Sequence, residues 1–220
     1  MSIQILPSLL AADYGRLADE IKRVASSGAD ALHVDVMDPN FVPNMSFSPD
    51  MVALARNTAP ALYRNVHLMM RRPDRYLEMF ADAGAETIQI HVEADCDLHR
   101  ELRRIRSLGL KAAIVINPET PFQALVPYFG EFDEALVMTV HPGHGGQKFM
   151  AECLEKTRLL REKMPTMDIM VDGGVNFETA VLAARSGVNQ FVSGSFLFRA
   201  DDMASAIAEL RARIVESSHR

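Results

Sequence analysis

The sequence predicts one (β/α)8 TIM barrel, in the α/β class, as a single catalytic domain over residues 1–220, and three observations carry that expectation. First, strand-like segments near 3–8, 31–36, 63–68, 87–92, 111–116, 134–140, 168–172 and 189–193 alternate with stretches whose apolar residues recur at helical spacing. Second, Gly28, Gly84, Gly109 and Gly187 each close a helical stretch two or three residues before a strand, where a left-handed helix terminus favours glycine. Third, the alternation runs the length of the chain without a composition break, as parallel strands joined by crossover helices require. A doubly wound open sheet is the runner-up, but it usually carries a glycine fingerprint after its first strand, and ILPSLLAADYG has none.

Taken in order, the first strand gives way to DYGRLADEIKRVASSG, for which Asp13 is a candidate N-cap. In ALHVDVMD, period-two alternation puts Ala31, His33, Asp35 and Met37 on one face and Leu32, Val34 and Val36 on the other. The same rule groups Asn65, His67 and Met69 in YRNVHLMM against Val66, Leu68 and Met70. PDRYLEMFADAGA is the next helix, and strand four ends at His91. DLHRELRRIRSLG follows with Asp97 as its N-cap, then strands five and six, and then MAECLEKTRLLREKM, which Pro165 stops. In DIMVDGGV, Met170 and Asp172 share a face opposite Ile169 and Val171. Each of these strands thus has an aliphatic face for packing under helices and a polar, methionine-containing face suited to the barrel mouth.

Length and composition fit one soluble domain: 220 residues, 48% hydrophobic and 24% charged. A net charge of −6 without a basic stripe argues against nucleic acid as a partner. Cys96 and Cys153 form no C-x-x-C pattern, so reduced thiols in the cytoplasm are expected. The N-terminus lacks the basic start of a secretory leader, and no run approaches the roughly 20 apolar residues of a membrane span.

Active sites of such barrels lie at the carboxyl ends of the strands, and His33, Asp35, His67 and Asp172 are all predicted there. Any one of them alone reads as a hydrogen-bonded structural group. Together, two imidazoles and two carboxylates make a ligand set for one divalent cation, Zn2+, Fe2+, Mn2+ or Co2+, among which the sequence does not choose. Two carboxylates beside a Lewis acid are the equipment for removing and replacing a proton next to a carbonyl.

Glycine-rich loops follow the last three strands: HPGHGGQKF, DGGV and SGS. Singly they read as tight turns; on three neighbouring loops they favour a phosphate site built from backbone amides. Met37, Met69 and Met138 are core filler by default, but their position suggests an apolar ceiling over a cation, where charge interactions strengthen. His91 reads as structural or as a partner of the site, His99 as solvated, and Lys148 as an exposed residue with a phosphate as its sharper reading.

The motifs HVDVMD, FVPN, VHLM, HPGHGGQKF, VDGGV and SGSFLF, together with the opening ILPSLLAADYGRL, occur in the order and spacing of the ribulose-phosphate 3-epimerase family, which the sequence resembles over nearly its whole length. The resemblance implies a barrel enzyme with one divalent metal on His33, Asp35, His67 and Asp172, and with Asp35 and Asp172 as acid and base around an enediolate. It also implies substrate contacts from Ser8, His67 and Asp172, and a phosphate grip from Gly143, His144, Gly145, Gly146, Gly173, Gly174, Gly194 and Ser195. The expected partner is a phosphorylated ketose, D-ribulose 5-phosphate or D-xylulose 5-phosphate first, and the expected assembly a homo-oligomer, dimer or hexamer.

Three loop positions depart from the family pattern: Pro39 for glycine, His141 for asparagine and His144 for a large apolar residue. SFSPDM, INPETP and MTVHPG are also similar to allulose 6-phosphate epimerases, so D-allulose 6-phosphate or a tetrulose phosphate is the alternative substrate. Decarboxylases and aldolases of related barrels carry Asp-x-Lys-x-x-Asp on an early strand, and HVDVMD lacks that lysine. A catalytically silent sugar-phosphate sensor is the alternative of a different class, against which the presence of both aspartates and both histidines argues.

Overall fold

The computed structural model describes residues 2–217. Eight parallel strands, β1 (Gln4–Pro7), β2 (Ala31–Met37), β3 (Tyr63–Met69), β4 (Thr87–His91), β5 (Lys111–Ile116), β6 (Glu134–Met138), β7 (Asp168–Asp172) and β8 (Gln190–Ser193), form one sheet in the order β1-β8-β7-β6-β5-β4-β3-β2. A parallel bridge between Ser8 and His33 joins the two ends, so the sheet closes on itself. The eight strands coincide with the expected segments to within two residues at each end.

The helices are α1 (Leu17–Ser26), α2 (Pro49–Thr58), α3 (Leu77–Ala83), α4 (Leu98–Ser107), α5 (Leu154–Lys163), α6 (Phe177–Arg185), α7 (Ser195–Phe198) and α8 (Met203–Ser217). Asp97 caps α4 by accepting from the Arg100 amide, whereas Asp13 caps a short 3-10 turn ahead of α1 through Gly15. Gly84 ends α3 in the left-handed region at φ 107°. The even βα alternation fails once: the β5 to β6 crossover is a 3-10 stretch, Phe122–Tyr128, rather than an α-helix. Pro121 precedes this segment and Pro127 lies inside it, and an imidic nitrogen cannot donate the hydrogen bond an α-helix needs there.

The strand phase sorts the side chains as the alternation predicts. Leu32, Val34, Val36, Val66, Leu68, Ile169 and Val171 face outward and join the large aliphatic layer under the helices. Ala31, Met138, Met170 and Val192 belong to a smaller cluster inside the barrel. Because both faces of the strands are covered, every residue of β2 is buried.

Cross-strand register then sets the neighbours of each polar side chain. Asp35 of β2 stands beside His67 of β3, His33 beside Asn65, and Met138 of β6 beside Asp172 of β7. Just past β6, the buried Thr139 ties the end of β7 in place. Its amide donates to the Asp172 carbonyl (2.8 Å) and its hydroxyl lies 2.9 and 2.7 Å from the carbonyls of Asp172 and Gly173. Thr139→Val keeps the shape and the amide bond but leaves the Gly173 carbonyl unpaired. It is expected to lower unfolding free energy by about 1–3 kcal/mol in denaturant titration, and a loss under about 0.5 kcal/mol would show that the hydroxyl does not anchor this loop.

Candidate active site

His33 and His67 lie fully buried under the mouth of the barrel, Asp35 is almost as deep, and the Asp172 side chain is 17% exposed. One ligand atom from each falls within 4.8 Å of all the others. Asp35 Oδ1 lies 3.2 Å from His33 Nε2 and 3.1 Å from His67 Nδ1, while Asp172 Oδ2 lies 3.9 Å from both nitrogens. Asp35 Oδ2 accepts a 2.5 Å hydrogen bond from the Ser8 hydroxyl.

The outer nitrogens show what the inner ones carry. His33 Nδ1 meets the side-chain oxygen of Asn65 at 2.8 Å, an acceptor, so Nδ1 bears a proton and the neutral ring turns the Nε2 lone pair inward. That Nε2 is buried and has no aligned hydrogen-bond partner in spite of its nearness to Asp35. Lone pairs of imidazole and oxygens of two carboxylates therefore converge on one point, which demands positive charge at that point. A divalent cation with nitrogen and oxygen preferences satisfies the whole set at once.

Without a cation, protons must fill that role, and the titration behaviour follows. Burial pushes the Asp172 carboxyl up to about 7, reinforced by the Asp35 charge. Burial also works against an ionised Asp35, but His33 and His67 outweigh it and hold that carboxyl well below the usual range. For His33, burial disfavours the cation, yet Asp35 and then Asp172 reverse the balance and raise its pKa. Burial lowers His67 to about 4.

Above this floor lies a cleft that opens to solvent at the barrel mouth. Ser8, Asp35, Asp172, Met37, Met69 and Met138 line it, as do Gly143, His144, Gly145, Gly146, Gly173, Gly174, Gly194 and Ser195. The expected substrate-facing residues meet in this one cleft except His67, which lies fully buried beneath it with His33. Met37 and Met69 pack with Val42, Leu10 and Phe41, which makes one wall apolar.

The loop after β6 is folded by Gln147, whose side-chain amide donates to the carbonyls of His141 (2.7 Å) and His144 (2.8 Å). Asn44 donates to the Gly143 carbonyl at 2.7 Å and ties this loop to the one after β2. Gly174 has no substitute: at φ +67°, a Cβ there would lie 2.7 Å from the Phe149 amide nitrogen. Of the three departures, only His144 reaches the cleft. His141 points to Glu119 (2.5 Å), and Pro39 is exposed outside the lining. Lys148 is likewise exposed outside the lining. His99 pairs with Glu131 at 2.9 Å and meets the Tyr128 ring.

Residue types alone do not single out Glu93, Gln147 or Thr139. The spacing of His91 and Glu93, two residues apart at the end of β4, is the signal that marks Glu93. His91 touches the site directly, its Nε2 lying 2.8 Å from His67 Nε2.

A parallel barrel with paired carboxylates at its carboxyl end and a glycine-lined mouth belongs among the TIM-barrel enzymes in form. Residues 4–198 match the model of the ribulose-phosphate 3 epimerase family, and the chain belongs to that family. It is 44% identical to a ribulose-phosphate 3-epimerase of Bacillus subtilis over 95% of this chain and 98% of that protein. It is 41% identical to one of Schizosaccharomyces pombe over 97% and 95%. Among solved structures, the KGPDC barrel of Streptococcus mutans superposes with a TM-score of 0.76 at 13% identity, covering 98% of this chain and 99% of that one. The 3-hexulose-6-phosphate synthase of Salmonella typhimurium gives 0.69 at 16%, covering 99% and 100%. At those identities the likeness is one of fold.

A carboxylate whose pKa is raised by folding binds more protons in the native than in the unfolded state, so it costs stability as pH rises from its unfolded value, about 3.9, to about 7. In metal-free protein, Asp172→Asn is therefore expected to unfold at higher temperature than wild type at pH 8, with the gap shrinking toward pH 4. A gap that does not change with pH would refute the raised carboxyl.

Proposed function

We propose that this protein is a metal-dependent isomerase that inverts C3 of a ketose phosphate, with D-ribulose 5-phosphate and D-xylulose 5-phosphate as its pair. The observation that carries the reading is the meeting of Asp35 and Asp172, from strands separated by β1 and β8, beneath a glycine-lined cleft. The named relatives act on the substrate their name gives, and the chain's likeness to them supports the same substrate here.

In this reading His33, Asp35, His67 and Asp172 hold one Zn2+, Fe2+, Mn2+ or Co2+. When bound, the cation supplies a Lewis acid that offsets negative charge on the sugar oxygens. Asp35 and Asp172 take and return the C3 proton at their carboxylate oxygens, one on each face of the carbon. Two carboxylates are required, because a single base handing back its own proton would restore the starting configuration. Ser8 donates to Asp35 and holds that carboxylate in one orientation. Amides of the loops at Gly143–Gly146, Gly173–Gly174 and Gly194–Ser195 grip the phosphate, with His144 at the rim. Met37, Met69 and Met138 keep water from the reacting carbon.

The reading places the enzyme in the cytoplasm, as the name of its Oryza sativa relative, a cytoplasmic isoform, suggests, and as a homo-oligomer. Among the described residues no helix is long and apolar enough to cross a membrane. Met45, on the loop after β2, and Tyr14, in the 3-10 turn ahead of α1, leave large apolar side chains exposed, which supports a contact between copies.

Incubation in deuterated water with a panel of ketose phosphates is expected to exchange the C3 proton fastest in the five-carbon pair. Chelation should stop exchange and added divalent cation restore it. Exchange fastest with allulose 6-phosphate would reassign the substrate, and none on any substrate with metal restored would defeat the enzyme reading. Asp172→Asn should lower kcat by about 10²–10⁴-fold with the fold intact; an unchanged rate would remove its acid/base role.

A further inference from the structure

We propose that His91 and Glu93 act as positioning residues that fix the proton of His67 on Nε2 and so present Nδ1 to the cation; this rests on the ligand role of His67 proposed above.

Three atoms in series carry the inference. Glu93 Oε2 lies 3.0 Å from His91 Nδ1, and His91 Nε2 lies 2.8 Å from His67 Nε2. The two rings have centres 5.0 Å apart with planes 22° from parallel. Since their facing nitrogens are far closer than their centres, the rings meet edge to edge, as an in-plane N–H to N hydrogen bond requires.

Proton order then follows from either end of the series. A carboxylate only accepts, so His91 Nδ1 carries a proton, and a neutral His91 is left with a lone pair on Nε2. From the other side, a cation on His67 Nδ1 requires a lone pair there, which places the His67 proton on Nε2. The two conclusions meet at the 2.8 Å contact as one donor facing one acceptor. With His91 neutral and its proton on Nδ1, a His67 proton on Nδ1 instead would set two lone pairs against each other between fully buried rings. Metal-bound histidines commonly orient through a carboxylate on the outer nitrogen, and loss of such a partner typically costs 10–100-fold in metal affinity. Here a second imidazole extends that link by one ring.

Glu93 is itself held. Its Oε1 accepts from the Asn117 amide at 2.9 Å, at the end of β5, and the Asn117 carbonyl accepts from Lys156 Nζ at 2.6 Å. Phe41, on the loop after β2, packs on the His91 ring with centroids 4.7 Å apart. The relay therefore runs from the β5 loop, across β4, to the ligand on β3.

The test titrates Co2+ into stripped protein against a competing chelator. Glu93→Ala is expected to bind Co2+ about 10–100-fold more weakly than wild type, and Glu93→Gln, which keeps an acceptor for one of the two donors, to lose less. Affinity within about twofold of wild type in a folded Glu93→Ala protein would overturn the relay. Wild-type protein that takes up no Co2+ would instead overturn the ligand assignment, and the relay with it. Nitrogen-15 histidine spectra of Zn2+-loaded wild type give a reading that needs no variant. The proposal expects His91 protonated at Nδ1 and bare at Nε2; a proton on Nε2 would refute it.

Discussion

Two carboxylates and two imidazole nitrogens converge on one point at the carboxyl end of the barrel, and the rest of the structure is arranged around the positive charge that point requires. No part of the cluster is local in sequence except His33 and Asp35. His67 and Asp172 arrive through strand register, which pairs Asp35 with His67 and His33 with Asn65. A slip of one residue in β3 would turn His67 outward into the aliphatic layer and Leu68 inward. The outer layer therefore does more than stabilise: Val66 and Leu68, fully buried under the helices, hold the phase that keeps His67 at the site.

This division explains how the protein tolerates such an unfavourable cluster. Like charges and unpartnered polar atoms in a buried place cost several kcal/mol. That cost falls on the inner face, whereas the large hydrophobic cluster lies on the other side of the same strands. Thr139, Ser8, Asn65 and His91 each satisfy or orient one member of the cluster, so its remaining unmet valences all point to the centre. The orphaned nitrogen of His33 is the clearest of these.

Most of this was legible in the sequence because its signals are periodic. Alternation in ALHVDVMD, YRNVHLMM and DIMVDGGV assigns the inner and outer faces, and the glycines before the strands mark the helix ends. The 3-10 crossover after β5 lies outside that periodicity, its marks in the sequence being two local breakers, Pro121 and Pro127, within an otherwise even α/β rhythm. The alternation fixes a face and not a contact. It places His91 at a strand end, but the in-plane bond to His67 depends on the stagger between β3 and β4. His141, a departure from the family pattern, likewise carries no sign in the sequence of its contact with Glu119, outside the cleft lining.

The unequal protonation of the two aspartates bears on how one site serves both directions of an inversion. Asp35 has two imidazoles and a serine hydroxyl as neighbours, and Asp172 has imidazoles only at 3.9 Å. Their proton affinities are therefore pushed apart in the metal-free protein, the usual mark of an acid and base pair. In the proposed reaction each carboxyl acts as base in one direction and acid in the other, which a wide gap opposes. A cation held by His33, Asp35, His67 and Asp172 would offset the Asp35 charge that helps raise Asp172, and so would carry Asp172 toward the ionised form that Asp35 already holds.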